Sequence, residues 1–188
     1  ALAASRMPNL LHDDEGDSIS EKNRSYCELT GQYWAWQNTD ADYYGFLHYR
    51  RYFNFSKTEY PIHHEPFIFG DVTFDRNDDE TLQRIDFNEE AMRKVITAHD
   101  FIAPEPIEAL EKTTVYEQYR DSFGHHIEDL DTVMDNIRLK YPDIWPSAQK
   151  YLNQTKVYVC NMFVMRRELF RAYSAFLFDV LSTHEKMR

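Results

Sequence analysis

Apolar residues recur at helical spacing in the first part of the chain. Leu29, Tyr33 and Trp36 fall at i, i+4 and i+7, with Tyr26 one turn earlier. That stripe predicts a helix with an inward face, capped by Ser20, Asn23 or Ser25 and ended by Asn38-Thr39-Asp40. The preceding stretch, residues 12–23, is polar and reads as a loop, while residues 1–11 are weakly patterned. The period then changes. Tyr43 to Tyr49 is short, aromatic and free of carboxylates and lysine, the pattern of a buried strand. Residues 54–80 carry Pro61, Pro66, Gly70 and many acids, and read as an irregular excursion. A helix is expected over about 88–99, with Asn88 as its cap and Ala91, Val95 and Ala98 inward. Asp100 to Ala103 reads as a short strand stopped by Pro104 and Pro106. Residues 108–124 read as helical or mixed. Ile127, Leu130, Val133, Met134 and Ile137 share one face of a clearer helix that Tyr141-Pro142 ends. Val157 to Cys160 reads as a strand, followed by Asn161-Met162-Phe163-Val164-Met165. A last helix starts near 167, with Leu169, Tyr173, Phe176 and Leu177 inward. Helices alternating with short buried strands predict an α/β domain.

Composition narrows the function. A chain of 188 residues suits one domain with a self-supporting core. Only 5 glycines are present, which counts against a glycine-rich nucleotide loop. Lys plus Arg number 21 and Asp plus Glu 32, a net charge of −11. Such a surface repels a phosphate backbone, so no nucleic-acid partner is expected. Cys27 and Cys160 form no CxxC or Cys/His finger; two reduced, buried thiols are expected in preference to one disulfide. No apolar run approaches the roughly 20 residues of a membrane span, and no signal peptide is visible. The chain starts without Met and ends inside a helical pattern, which points to a piece of a longer protein.

Four constellations could carry chemistry. His48-Tyr49-Arg50-Arg51-Tyr52-Phe53 lies where a buried strand runs into a loop, the place where open α/β sheets bind ligands. Two adjacent arginines there suit a phosphate, with aromatic rings alongside; the plain alternative pairs them with nearby acids. Gly16 to Asn23 leads into a helix whose free N–H groups, with Lys22, could meet an anion; the alternative is a capped helix start. His125-His126 followed by Glu128, Asp129 and Asp131 could supply a general base, a metal pair or a salt bridge, but it does not match HExxH. Asn161, after Cys160, could bond a ligand hydroxyl through its amide or satisfy turn backbone. His63-His64 has no spaced partner, and Asp13-Asp14 and Asp78-Asp79-Glu80 read as solvated acidic runs. Residue chemistry alone therefore reaches an α/β domain with an anion site.

A resemblance goes further. Gly16 to Asn23, Tyr26 to Gly31, Tyr33 to Trp36 and His48 to Phe53 resemble, in that order, a bacterial family of unknown-function domains, DUF4422. Ile102 to Pro106, His125 to Asp131 and Cys160 to Met165 also fit, so the likeness spans about residues 12–180. The family occurs in capsular polysaccharide and lipopolysaccharide loci and is treated as glycosyltransferases, some transferring galactofuranose. The resemblance implies one GT-A-like (Rossmann-like) domain over 1–188, a mixed sheet flanked by helices, without the family's first strand and with its C-terminal continuation missing. It implies a nucleotide-sugar donor, with UDP as the expected nucleotide, and a glycan or lipid-linked oligosaccharide acceptor. The expected location is the cytoplasm, peripherally at the inner membrane face. Where GT-A enzymes carry paired aspartates and a divalent metal, this chain has His48-Tyr49-Arg50. The reading is therefore that Arg50 and Arg51, with His48, neutralise the diphosphate in place of Mn²⁺ or Mg²⁺. Lys22, Asn23 and Glu28 would serve the nucleotide, Asn161 the sugar, and Asp129, Glu128 or His125 would deprotonate the acceptor. The alternatives are a non-catalytic scaffold domain of polysaccharide assembly and a metal-dependent hydrolase built on His125-His126.

Overall fold

A computed structural model describes residues 10–61, 72–108 and 112–187. His63-His64, Pro66 and Gly70 lie outside the described residues. A 3₁₀ turn at Ser20–Lys22 runs into α1 (Asn23–Tyr26), α2 (Leu29–Asn38) and β1 (Tyr43–Phe46). Then come α3 (Asp79–Arg84), α4 (Glu89–Ile96), β2 (Phe101–Ile102), β3 (Ile107–Glu108) and α5 (Val115–Asp121). The chain continues through α6 (Ile127–Lys140), α7 (Trp145–Leu152), β4 (Lys156–Val157), β5 (Phe163–Arg166) and α8 (Arg167–Met187).

The sheet order is β1-β5-β2, and a two-stranded sheet joins β3 to β4. Every described strand pair is antiparallel. The α/β class is as expected, but these sheets are small and antiparallel. The carboxyl-end rule for open parallel sheets therefore does not position the site. β5 is central and has helix or loop over both faces, which is why Phe163, Val164 and Met165 are all buried. One face presents Tyr44 and Phe46 of β1 with Phe163 to α8. There Phe170, with no exposed surface, lies 4.0 Å from Tyr44 and 5.7 Å from Phe46, ring centre to ring centre. The other face presents Tyr43, Gly45 and Val164 to Phe53, Phe55, Phe87 and α4, around an apolar cleft of about 180 Å³.

Several expectations shift. The strand foreseen over 157–160 is only Lys156–Val157, because Cys160 turns to φ +61° and the Met162 N–H donates to the Cys160 carbonyl. The core strand is the apolar run after that turn. The first helix comes in two pieces, broken at Cys27 with φ +49°. On α2 the buried positions are Thr30 and Gln32, with Leu29, Tyr33 and Trp36 half-buried. On α8 the buried stripe is Phe170, Ser174, Phe178 and Val180, whereas Leu169 is exposed. The stripe is displaced because α8 is covered on two sides, by the sheet with α2 and by α6. Within the excursion, Asp78 is an N-cap whose side chain accepts from the Thr81 N–H, so this acidic run starts α3. Asn88 caps α4 as expected, through the Ala91 N–H. Thr114 and Glu117 form a capping box on α5. Both cysteines are free and exposed, not buried.

The loop before α1 is tied to α2. The indole N–H of Trp34 donates to the Glu15 carbonyl at 2.6 Å, and Asn38 bonds both backbone groups of Asp17. Gly16, at φ +71°, has no room for a Cβ, which would come within 2.2 Å of Asn38 Oδ1.

Candidate functional site

Antiparallel pairing makes the site. Phe46 at the exit of β1 sits opposite Phe163 at the entry of β5, so the turn leaving β1 meets the segment that leads into β5. Two constellations more than 100 residues apart in sequence converge there. After β1, His48 to Arg51 close a tight turn in which the Arg51 N–H donates to the His48 carbonyl at 3.1 Å. Tyr49 and Arg50 form its exposed corner. The Arg50 guanidinium carbon stands 4.7 Å from the centre of the Tyr49 ring, a cation–π contact, and the His48 ring lies 4.3 Å from the same ring. Arg51 is half-buried, and its Nη1 donates to the exposed Cys160 Sγ at 2.9 Å.

Asn161 is the next residue along. Its Nδ2 donates to Gln32 Oε1 at 3.3 Å, and Gln32 Nε2 donates to Ser174 Oγ at 3.3 Å. Gln32 and Ser174 are completely buried. Thr30, two residues earlier on α2, accepts from Asn23 Nδ2 at 3.2 Å, and Asn23 Nδ2 also donates to the Cys27 carbonyl at 2.9 Å. Asn23 thus holds the break between α1 and α2. Glu28 is the exposed N-cap residue of α2, and its carbonyl accepts from the Gln32 N–H at 3.3 Å.

Lys22 is engaged elsewhere. Its Nζ is 2.7 Å from Glu185 Oε2 near the end of α8, and the Tyr26 hydroxyl donates to the same oxygen at 3.3 Å. The bond to Glu185 raises the Lys22 pKa and lowers that of Glu185. The helix start foreseen as an anion cradle is a three-residue 3₁₀ turn and a four-residue helix, with Lys22 already paired.

The third constellation forms a separate group at the start of α6. His125 stacks on Tyr119 at 4.4 Å, and His126 is the N-cap residue without a side-chain cap bond. Glu128 is exposed in the first turn. Asp129 Oδ1 lies 3.6 Å from His184 Nε2 on α8, and the Tyr116 hydroxyl donates to Asp131 at 2.9 Å, which raises the Tyr116 pKa. Ser174 marks the arginine side of α8 and His184 the Asp129 side. Ten residues at 1.5 Å each separate them by about 15 Å along the helix.

The structure therefore joins Arg51, Cys160 and Asn161, keeps His48 and Arg50 beside them, links Asn23 through α2, and leaves Lys22, His125, Glu128 and Asp129 toward the far end of α8. Gln32 was not singled out from sequence. Its signal was an amide inside the run Gly31-Gln32-Tyr33-Trp34-Ala35-Trp36, where every neighbour is small or aromatic. Chemically, the junction offers an exposed guanidinium over an aromatic ring, a second guanidinium and a fixed amide. That set suits an anion bearing hydroxyl groups. Among the described residues, no three His, Cys, Asp or Glu side chains gather as a metal site, and no helix is long and apolar enough to cross a membrane.

The sequence model of a family described as "Domain of unknown function (DUF4422)" matches residues 1–188. None of the curated proteins matches. Among solved structures, the apo form of the WbbM bifunctional glycosyltransferase is similar at 33% identity with a TM-score of 0.86. The match covers 93% of this chain and 30% of that one, so the chain spans less than a third of that protein's length.

Proposed function

The chain belongs to the DUF4422 family, and on that premise we propose that it is a GT-A-like glycosyltransferase taking a sugar, galactofuranose as the leading case, from a UDP-linked donor to a surface polysaccharide. Capsule, exopolysaccharide or O-antigen would be the product. The observation that carries this reading is the junction of Arg50, Arg51 and Asn161, in a chain similar over 93% of its length to part of a glycosyltransferase.

In the reaction, the bond between the anomeric carbon and the diphosphate oxygen breaks, and the leaving UDP keeps the electron pair. The acceptor oxygen bonds to the anomeric carbon and gives its proton to a base. The main requirement is to stabilise charge growing on the diphosphate. Arg50 and Arg51 supply it, with His48 adjacent, where a divalent metal would otherwise do so. Tyr49 offers a stacking face. Asn161 receives a sugar hydroxyl. Asn23 and Glu28 shape the nucleotide side, and Lys22 joins them if it exchanges Glu185 for a phosphate. Asp129 is the proposed base, with Glu128 and His125 beside it. That role requires the start of α6 to come within hydrogen-bond reach of the acceptor hydroxyl at the junction when both substrates are bound. The enzyme would work in the cytoplasm, at the inner membrane face where lipid-linked acceptors are met.

The test is calorimetric titration of UDP with Mn²⁺ and with excess EDTA, followed by turnover of UDP-galactofuranose. Equal binding in both conditions, with turnover, supports the arginine site. Binding that needs Mn²⁺ overturns the arginine replacement. Binding without turnover favours a scaffold domain of polysaccharide assembly.

A further inference from the structure

We infer that Gln32 is a positioning residue for donor recognition. It sits inside α2, touches no solvent, and holds the Asn161 amide in place for a sugar hydroxyl. The inference rests on the proposed donor site and adds a residue that makes no ligand contact.

The argument starts from burial. An amide moved out of water without partners costs a few kcal/mol, so a completely buried Gln is tolerated only where both ends are bonded. Gln32 meets that condition with two side chains from distant parts of the chain: Ser174 on α8 and Asn161 before β5. An apolar residue would fill the same space between α2 and α8 without needing either bond. The neighbours on α2 do so, with Trp36 stacked on Phe178 at 5.8 Å and Tyr33 edge-on to it at 5.1 Å. Gln32 is therefore an amide in a contact that packing alone would make apolar.

The consequence falls on Asn161. Its backbone comes directly after the left-handed turn at Cys160, outside any strand or helix. The bond to Gln32 ties its side chain to α2. With Nδ2 donating inward to Gln32 Oε1, Oδ1 is left without a partner among the described residues. Asn161 thus offers the outer end of its amide next to Cys160, whose sulfur holds Arg51. One short segment places a cation and an oriented amide side by side, the two functions a sugar diphosphate needs. Ser174 anchors the other end of Gln32.

The test is a double-mutant cycle on the whole chain, read as the gain in affinity of UDP-galactofuranose over UDP alone. Gln32→Met keeps size but cannot bond, and Asn161→Ala removes the proposed contact. Each single change is expected to cut the sugar gain, taken relative to the same variant's UDP affinity, about fivefold, the scale of one hydrogen bond. The double mutant is expected to match Asn161→Ala, because Gln32 acts only through Asn161. Additive losses, or a Gln32→Met protein that melts earlier yet keeps the full sugar gain, would overturn the inference. Should Gln32→Met fail to fold, Ser174→Ala frees the far end of Gln32, and its expected partial loss of the sugar gain decides the case in the same way. A wild-type chain that binds UDP but shows no sugar gain overturns the role of Asn161 and this inference while leaving the diphosphate site standing. A chain that binds neither removes the donor reading itself.

Discussion

Arg50 and Arg51 are adjacent in sequence but differ in partners. Arg50 lies against the ring of its neighbour Tyr49 at an exposed corner, and Arg51 is held by Cys160. Arg50→Ala is therefore expected to weaken UDP about tenfold, the scale of a lost charge-assisted hydrogen bond, with stability within about 0.5 kcal/mol of wild type. Calorimetry and thermal unfolding read the two effects separately. Unchanged UDP affinity would take Arg50 out of the site. A second residue-scale prediction concerns Tyr141, at the end of α6. Its hydroxyl donates to Asp179 Oδ2 at 2.7 Å, which with burial pushes its pKa up to about 12. Lys140 and Tyr141 together hold the Asp179 pKa below the usual carboxylate value. The raised Tyr141 value means its contribution is complete below about pH 10 and fades as pH climbs toward 12. The lowered Asp179 value works the other way: its contribution is complete above about pH 4 and fades in stronger acid. Tyr141→Phe should cost about 1 kcal/mol near neutrality, discounted for the partly exposed carboxylate, and the gap to wild type should close above pH 10. A gap that stays constant to pH 12 would show that the hydroxyl contributes nothing through Asp179.

Elements reveal which patterns the sequence carries openly. α4 and α6 were legible because Asn88 is a capping residue at an expected place and the apolar stripe of α6 ends at Tyr141-Pro142. β1 was legible because a short aromatic run has few other uses. β5 was not assigned as a strand, since a central strand covered on both faces loses its alternation and Met162 to Met165 looks like any buried apolar segment. The nearby Val157 to Cys160, with two valines and a tyrosine, carries the plainer strand-like pattern. α3 and α7 were not foreseen. α3 begins at an acidic run that reads equally as solvated loop, and α7 begins at Trp145-Pro146, where proline at the first turn is also a loop signal. The site was half legible. Each constellation was visible as residues, but which ones meet depends on the β1–β5 register, a long-range fact with no local signature. The buried stripe of α8 was missed by one residue, and that displacement makes a prediction. Phe170 lies at the centre of rings from Tyr44, Phe46 and Phe163, and Leu169 faces water. Phe170→Ala should destabilise by about 3–5 kcal/mol and Leu169→Ala by well under about 1 kcal/mol, measured by urea unfolding. Equal effects would return the inward face to the position expected from sequence.

At the scale of the whole molecule, the two arginines sit in a chain of net charge −11. Contact attraction and long-range field therefore oppose each other for the proposed anionic donor. At a few ångströms, guanidinium and phosphate meet well inside the Debye length, so added salt screens them little. Farther out, the donor meets the summed field of 32 acidic and 21 basic side chains, and that repulsion is screened fully. Moving from about 0.01 M to 0.15 M salt shortens the Debye length from about 30 Å to about 8 Å, which removes most of the repulsion before contact. The association rate of UDP should therefore rise with salt and the dissociation rate should change little, the reverse of proteins whose basic surface steers nucleic acid. Stopped-flow mixing across that salt range separates the two rates. A rate that falls on adding salt would mean that the field at the mouth of the site is positive despite the charge of the whole. The arginine pair, with whatever basic groups lie near it, would then govern approach as well as contact.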